Sequence, residues 1–338
     1  MRKIWDRAGR RSYQMGMLKN LKDLGNIKDL KIGVLEGGVS SEREISLLSG
    51  KEAFLALKRQ GLNVEEVVID TDDPAKVRGI LLERDIGIAF IALHGEFGED
   101  GRVQEILESI KVPYTGSGPL ASRRAMDKII SKRIFIGCGI PTPNFYVLEK
   151  GGRYIAPSYF PRVIKPYYSG SSIGVFIVNC LKEWEKGISE AFKVSDKLII
   201  EDYIEGKELT VGILDDEALS VVEIIPKKGY FDFISKYSDG MVEFEAPARL
   251  GENVCKKIME IAERAHKSLG CRHFSRVDIR LDRNNNPFVL EVNSIPGLTS
   301  HSLLPLSASV RGISFDELIL RMIKLSLERY EEKAEQKV

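Results

Sequence analysis

From residue 31 the chain alternates short apolar runs with stretches of helical periodicity. Residues 31–36, 63–70 and 86–93 read as strands. Between them, one helix starts at the capping-box pair Ser41 and Glu44 and runs to about Gln60, and a second spans residues 74–82. Such a β-α-β-α-β series implies a parallel sheet, whose ligands gather at the carboxyl ends of the strands. Two segments stand at those ends: Gly37-Gly38-Val39-Ser40-Ser41-Glu42, and residues 94–101, which begin with His94. Neither has the spacing of a dinucleotide fingerprint.

A Pro-Gly-Ser stretch at 113–119 marks a boundary, and the pattern then changes. A basic helix is expected from Leu120 to about Phe135, followed by strands at 145–148 and 162–165. Residues 165–175 are rich in Gly and Ser without the P-loop pattern, which suits a phosphate flap or an ordinary hairpin loop. A helix at 181–192 leads to a strand at 197–201, a polar hinge at 202–208 and a further strand from Leu209. Residues 230–245 hold aromatic side chains in an irregular stretch, the composition of a lid loop. An amphipathic helix at 253–269, a polar loop at 294–305 and a charged surface helix at 314–334 complete the chain.

The most informative alternation lies at residues 274–293. A tight turn at Asn284 and Asn285 folds it into a hairpin, with Val277, Ile279 and Leu281 facing Val292, Leu290 and Phe288 on an apolar side. The other side sets Arg276 and Asp278 across from Asn293 and Glu291. Two carboxylates ~5 Å apart repel by about 3 kcal/mol at an effective dielectric of ~20, so this face calls for a cation. A hard divalent ion, Mg²⁺ above all, fits oxygen donors and usually arrives with phosphates. The hairpin alone fits a solvated sheet face equally well.

Composition narrows the field. The 338 residues carry 50 Lys and Arg against 49 Asp and Glu, which gives no basis for a nucleic-acid or membrane partner. Hydrophobic content of 43% fits a globular protein, and no apolar run approaches a membrane span. The four cysteines are scattered, with no metal-binding spacing, and read as reduced packing residues in a cytoplasmic protein. The first 28 residues are basic but lack the apolar core of a secretory signal; they read as a plain extension, with a transit peptide or a phosphate-binding tail as the alternatives.

In this order, the motifs resemble those of the D-alanine–D-alanine ligases of the ATP-grasp superfamily. They are Glu36-Gly37-Gly38 with Ser40, Glu42, Arg43 and Glu44; His94-Gly95 with Gly98-Glu99-Asp100-Gly101; Met126-Asp127-Lys128; Lys165-Pro166 with Gly170-Ser171-Ser172; Lys236-Tyr237; Ser275-Arg276-Val277-Asp278; Leu290-Glu291-Val292-Asn293; and the run from Pro296 to Leu303. The likeness covers residues 31–327. It implies a three-domain fold, α/β and α+β: an N-terminal parallel-sheet domain, then central and C-terminal domains whose antiparallel sheets enclose ATP. The expected division is 1–29 as basic extension, 30–123, 124–208 and 209–338, the last bearing the lid.

The resemblance also implies roles. Lys128, Lys165 and Lys236 would meet ATP phosphates, Glu201, Asp202, Tyr203 and Ile204 the adenine, and Glu208 the ribose. Asp278, Glu291 and Asn293 would bind two Mg²⁺ ions, with Mn²⁺ a substitute. Glu42 would hold the ammonium of the first D-alanine, with His94 near its carboxylate. Gly297, Ser302 and Leu303 would receive the second. Ser171 and Tyr237 would tie the lid to Glu42, and Arg276 would face the acyl centre. The expected partners are D-alanine, ATP and a second copy of the chain. Taken singly, Glu42 also suits a helix first turn, His94 a structural histidine and Tyr237 lid packing.

The family reaction makes an acyl phosphate from one D-alanine, which the amine of another displaces. An ester-forming D-alanine–D-lactate ligase, another carboxylate–amine ligase and a non-catalytic nucleotide-binding module are the alternatives. Lys236-Tyr237 favours the amine acceptor over the first, and intact Arg276, Asp278, Glu291 and Asn293 disfavour the last. The chain departs from common family residues at Tyr167-Tyr168, Phe233 and Glu105.

Overall fold

A computed structural model describes residues 27–335 apart from 169, 171, 172, 227–241 and 301. The first unit is built from β1 (Ile32–Gly37), α1 (Arg43–Arg59), β2 (Val64–Ile69), α2 (Pro74–Arg84), β3 (Ile88–Ile91) and α3 (Arg102–Ser109). Its sheet is parallel in the order β2-β1-β3, as the alternation implied. The start of α1 differs from expectation. Glu42 is its N-cap and makes no side-chain cap bond. The nearby hydroxyl that does bond locally is Ser40, which donates to His94 O at 2.7 Å and accepts from Glu42 N at 3.2 Å. The capping box at Ser41 is therefore not formed.

The expected single helix from residue 120 is two, α4 (Pro119–Met126) and α5 (Lys128–Gly137). Asp127 breaks it because its carboxylate caps α5, accepting from Ile129 N and Ile130 N. Next come β4 (Phe145–Glu149), β5 (Arg162–Pro166), β6 (Phe176–Val178), α6 (Leu181–Val194) and β7 (Lys197–Asp202). These strands form an antiparallel sheet in the order β4-β7-β5-β6, with Trp184 and Ile188 of α6 buried on one face.

The last sheet comprises β8 (Gly206–Leu214), β9 (Glu217–Pro226), β10 (Val242–Glu245), β11 (Phe274–Asp282) and β12 (Pro287–Asn293), in the order β10-β9-β8-β11-β12. Its helices are α7 (Glu252–Leu269) and α8 (Leu303–Ser309), and α9 (Phe315–Glu335) closes the chain. Three expectations change here. The lid stretch ends in a strand, β10, paired with β9; the polar loop from 294 ends at Leu303 in α8; and the charged helix α9 buries Leu318, Ile319, Met322 and Ile323 in the core of the first unit.

The hairpin β11–β12 keeps the expected pairs Arg276↔Asn293, Val277↔Val292 and Asp278↔Glu291. Beyond them a β-bulge intervenes, so Ile279 faces Val289, Arg280 faces Phe288 and Leu281 faces Pro287. Val289, not Leu290, is the buried residue. The turn is also longer than expected: Asp282 accepts from Asn284 N and Asn286 N, with Asn285 alone at positive φ. All four cysteines are free thiols, but Cys138 and Cys180 are exposed, so the packing reading fits Cys271 and partly Cys255.

Candidate active site

The ends of these three units meet at a cavity of about 300 Å³. Glu42, His94, Lys128, Arg276, Glu291, Asn293, Gly297, Ser302 and Leu303 all line it. They come from the start of α1, the end of β3, the start of α5, the hairpin face, and the loop before α8.

On the hairpin face, the repulsion between Asp278 and Glu291 is countered by the protein's own cations. Arg276 forks onto Asp278 with bonds of 2.9 and 2.8 Å, and Thr210 Oγ1 donates to the same carboxylate at 2.7 Å. Lys128 Nζ lies 3.2 Å from Glu291 Oε2. Burial alone would favour discharge of Arg276, but Asp278 and then Glu291 raise its pKa well above the usual value. Asn293 Oδ1 accepts from Ile295 N at 3.0 Å.

The donor chemistry fits a hard cation. Asp278 has three of its roughly four lone-pair sites filled, Glu291 adds a second carboxylate that lines the cavity, and the third donor is an amide oxygen. Among the described residues no three His, Cys, Asp or Glu side chains converge. Such a set suits an ion that completes its shell with phosphate oxygens and water.

Electrostatically coupled to Glu291 is a buried charge cluster on the central sheet and α5. Glu201 is 1% exposed and receives Lys165 at 2.9 Å and Lys132 at 3.2 Å on separate oxygens. Burial would push the Glu201 carboxyl up, but the two lysines hold it below its usual value. Burial pushes Lys132 down to about 8, against the attraction of Glu201. Lys132 Nζ also donates to Thr142 Oγ1 at 2.6 Å, and Thr142 donates to Val289 O.

The neighbouring hinge is pinned by Arg280, which donates to Ile204 O at 3.1 Å, Tyr203 Oη at 3.3 Å, Gly206 O at 3.0 Å and Glu208 Oε2 at 3.2 Å. The Asp202 carboxylate points elsewhere, engaged by Arg162, Asn144 and Tyr159.

At the opposite wall, Glu42 is buried against two glycines. A Cβ at Gly95 would lie 2.6 Å from its Oε2, and one at Gly170 would lie 2.5 Å away. Gly170 belongs to the flap, so lacking a side chain lets that segment reach the Glu42 carboxylate. His94 is 3% exposed; its Nδ1 lies 3.0 Å from Ile295 O and its Nε2 2.8 Å from Ser49 Oγ. Glu99 is buried beside it, and burial followed by the charge of Glu42 raises its carboxyl, partly offset by His94. Ser302 Oγ accepts from Thr299 N at 3.0 Å and sits close to Gly297. Ser171, Lys236 and Tyr237 lie outside the described residues.

Four residues of this site had no role in the sequence reading: Ser49, Glu99, Lys132 and Arg280. Arg280 was recoverable, because it continues the polar alternation of Arg276 and Asp278. Glu99 lay in a Gly-rich strand-end segment already singled out. Lys132 sits one helical turn after Lys128. Nothing local marked Ser49.

Comparison with known proteins gives a consistent picture. Residues 134–324 match the family described as D-ala D-ala ligase C-terminus, and residues 72–117 match D-ala D-ala ligase N-terminus. The chain is 44% identical over 298 residues to the D-alanine–D-alanine ligase of Citrifermentans bemidjiense, covering 88% of this chain and 96% of that one. It is 43% identical over 292 residues to that of Aquifex aeolicus, covering 86% and 98%. Among solved structures, it resembles the Bacillus anthracis D-alanine–D-alanine ligase complexed with ATP, with TM-score 0.78, 33% identity, and 90% and 99% of the two chains covered. The Coxiella burnetii enzyme superposes with TM-score 0.78 at 26% identity, covering 91% and 97%.

Proposed function

The chain belongs to the D-alanine–D-alanine ligase family, and on that premise we propose which of its residues carry each part of the reaction. It is an ATP-dependent ligase that joins two D-alanines for peptidoglycan synthesis. One observation supports the assignment most: the residues expected at the acyl donor and the acceptor line one cavity together with Lys128, expected at the phosphates, and Glu291 and Asn293, expected at the metal.

The carboxylate of the first D-alanine attacks the γ-phosphate of ATP, giving an acyl phosphate and ADP. The amine of the second D-alanine then attacks the acyl carbon, and the tetrahedral intermediate expels phosphate. Glu42 offers a carboxylate to the first ammonium, and His94 shapes the wall beside it. Lys128 and Lys165 supply fixed positive charge to the phosphates, as phosphoryl transfer requires positioning and charge stabilisation more than a nucleophilic side chain. Lys236 is assigned to the same task. Arg276, held by its fork on Asp278, presents a guanidinium to the oxyanion, a contribution whose loss typically costs ~10²–10³ in rate. Gly297, Ser302 and Leu303 receive the second carboxylate, while Ser171 and Tyr237 secure the lid over Glu42.

ATP would lie against the hinge, with adenine at the backbone of Glu201, Asp202, Tyr203 and Ile204 and ribose at Glu208. Asp278, Glu291 and Asn293 would hold Mg²⁺, two ions by family analogy, with Mn²⁺ able to replace them; a divalent ion there neutralises phosphate charge. We divide the chain at 30, 124 and 209 into three domains after the N-terminal extension. A homodimer and a cytoplasmic location complete the reading. Among the described residues no helix is long and apolar enough to cross a membrane.

Phosphate release measured with ATP, Mg²⁺ and D-alanine tests the reading, with L-alanine and D-lactate as alternative substrates. D-alanine-dependent release is expected. No such release would overturn it, and preferential use of D-lactate as acceptor would make the chain an ester-forming ligase.

A further inference from the structure

Ser49 is completely buried in α1, seven residues beyond Glu42, and joins two parts of the site. Its hydroxyl lies 2.8 Å from His94 Nε2 and accepts from Leu298 N at 3.2 Å. The other ring nitrogen, Nδ1, lies 3.0 Å from Ile295 O. A carbonyl only accepts, so Nδ1 carries a proton directed at Ile295 O, with Glu99 Oε1 3.5 Å away. Nε2 is left to pair with the Ser49 hydroxyl.

A continuous chain of bonds results: Leu298 N–H donates to Ser49, Ser49 Oγ bonds His94 Nε2, and His94 Nδ1–H donates to Ile295 O. It begins and ends on the same loop and brackets Pro296 and Gly297. Both ring nitrogens of His94 are thereby engaged by protein, so the ring ties the wall beside Glu99 to this loop.

We propose that Ser49 is a positioning residue for the acceptor subsite: with His94 it holds residues 295–298 where the Gly297 backbone receives the second D-alanine. The inference rests on the ligase reading above. The same helix supplies a control. Ser46, one turn earlier, accepts from Gly37 N at 2.9 Å and donates to Ala92 O at 2.8 Å, tying α1 to its own sheet and not to the loop.

Steady-state kinetics of Ser49→Ala, Ser49→Cys and Ser46→Ala, resolving the KM values of the two D-alanines, provide the test. Ser49→Ala leaves Leu298 N–H without its acceptor and His94 Nε2 without its partner, so a rise of ~10-fold or more is expected in the second KM. The first KM and kcat should stay within ~2-fold. Ser49→Cys is somewhat larger and offers only a weak donor and acceptor, and should show the same split, which serves if the alanine variant does not fold. Ser46→Ala should lower the melting temperature without separating the two KM values. Equal effects on both KM values, or none, in the folded Ser49 variants would overturn the proposal. Inactivity of the unsubstituted protein towards D-alanine would instead defeat the underlying reading.

Discussion

Replacing Glu291 by Gln isolates the charge of the hairpin face at nearly constant shape. In the folded protein Glu291 faces Asp278 across the ladder, a repulsion of about 3 kcal/mol at ~5 Å and a dielectric of ~20. It also meets Lys128 at 3.2 Å, an attraction of about 5 kcal/mol on the same scale. The terms oppose and the side chain is about one-third exposed, so the net effect on stability should stay within about 2 kcal/mol. A melting-temperature shift below ~5 °C follows for a chain of this size. Turnover should respond differently. A carboxylate that holds a divalent ion at the phosphates stabilises developing charge by several kcal/mol, so its loss should reduce turnover by ~10²–10⁴-fold and shift the Mg²⁺ requirement upward. The assay is D-alanine-dependent phosphate release across a Mg²⁺ titration, beside a thermal melt. A Gln variant with near-normal turnover and an unchanged Mg²⁺ profile would refute the metal assignment.

Two further expectations concern buried charge. Burial, then the charge of Glu66, raises the Glu36 carboxyl from 4.5 to about 7, against the opposing pull of Lys51. Because the folded state keeps its proton where the unfolded chain has lost it, this group's contribution is intact below 4.5 and is lost as pH rises towards 7. The slope is at most ~1.4 kcal/mol per pH unit. Urea unfolding between those limits should show Glu36→Gln less sensitive to pH than the unsubstituted protein, and equal slopes would rule out burial of Glu36 as the cause. In the Lys132–Glu201–Lys165 cluster, Glu201→Gln leaves two buried lysines unmatched and should cost ~3–5 kcal/mol. Lys132→Met leaves one matched pair and should cost distinctly less; equal losses in urea unfolding would mean that packing, not charge, dominates.

The hydrophobic pattern disclosed the parallel sheet, because β1 and β3 are continuous apolar runs buried on both sides. It did not disclose β9, whose buried run Ala218–Ile224 lies under helices on both faces and has no alternation to read. The pairing of Asp278 with Glu291 was legible from period-2 spacing, but the bulge beside it was not, since no Gly or Pro marks the place. The helix break at Asp127 was hidden for the opposite reason: a capping residue stood inside an uninterrupted helical composition. Site residues on strand ends and Gly-rich turns were visible as motifs. Ser49 was not, because its role depends on a loop 249 residues away along the chain.

The bulge has a consequence for how such hairpins are compared. If Leu290 were removed, Asp278 would still meet Glu291, Ile279 would still meet Val289, and every other pair would persist. The surplus residue is therefore redundant as a matter of pairing; what it adds is local twist. Two hairpins with identical ladders and one residue's difference in length would aim the same carboxylate along different lines. Equivalence of such sites is a question of direction as well as of partners.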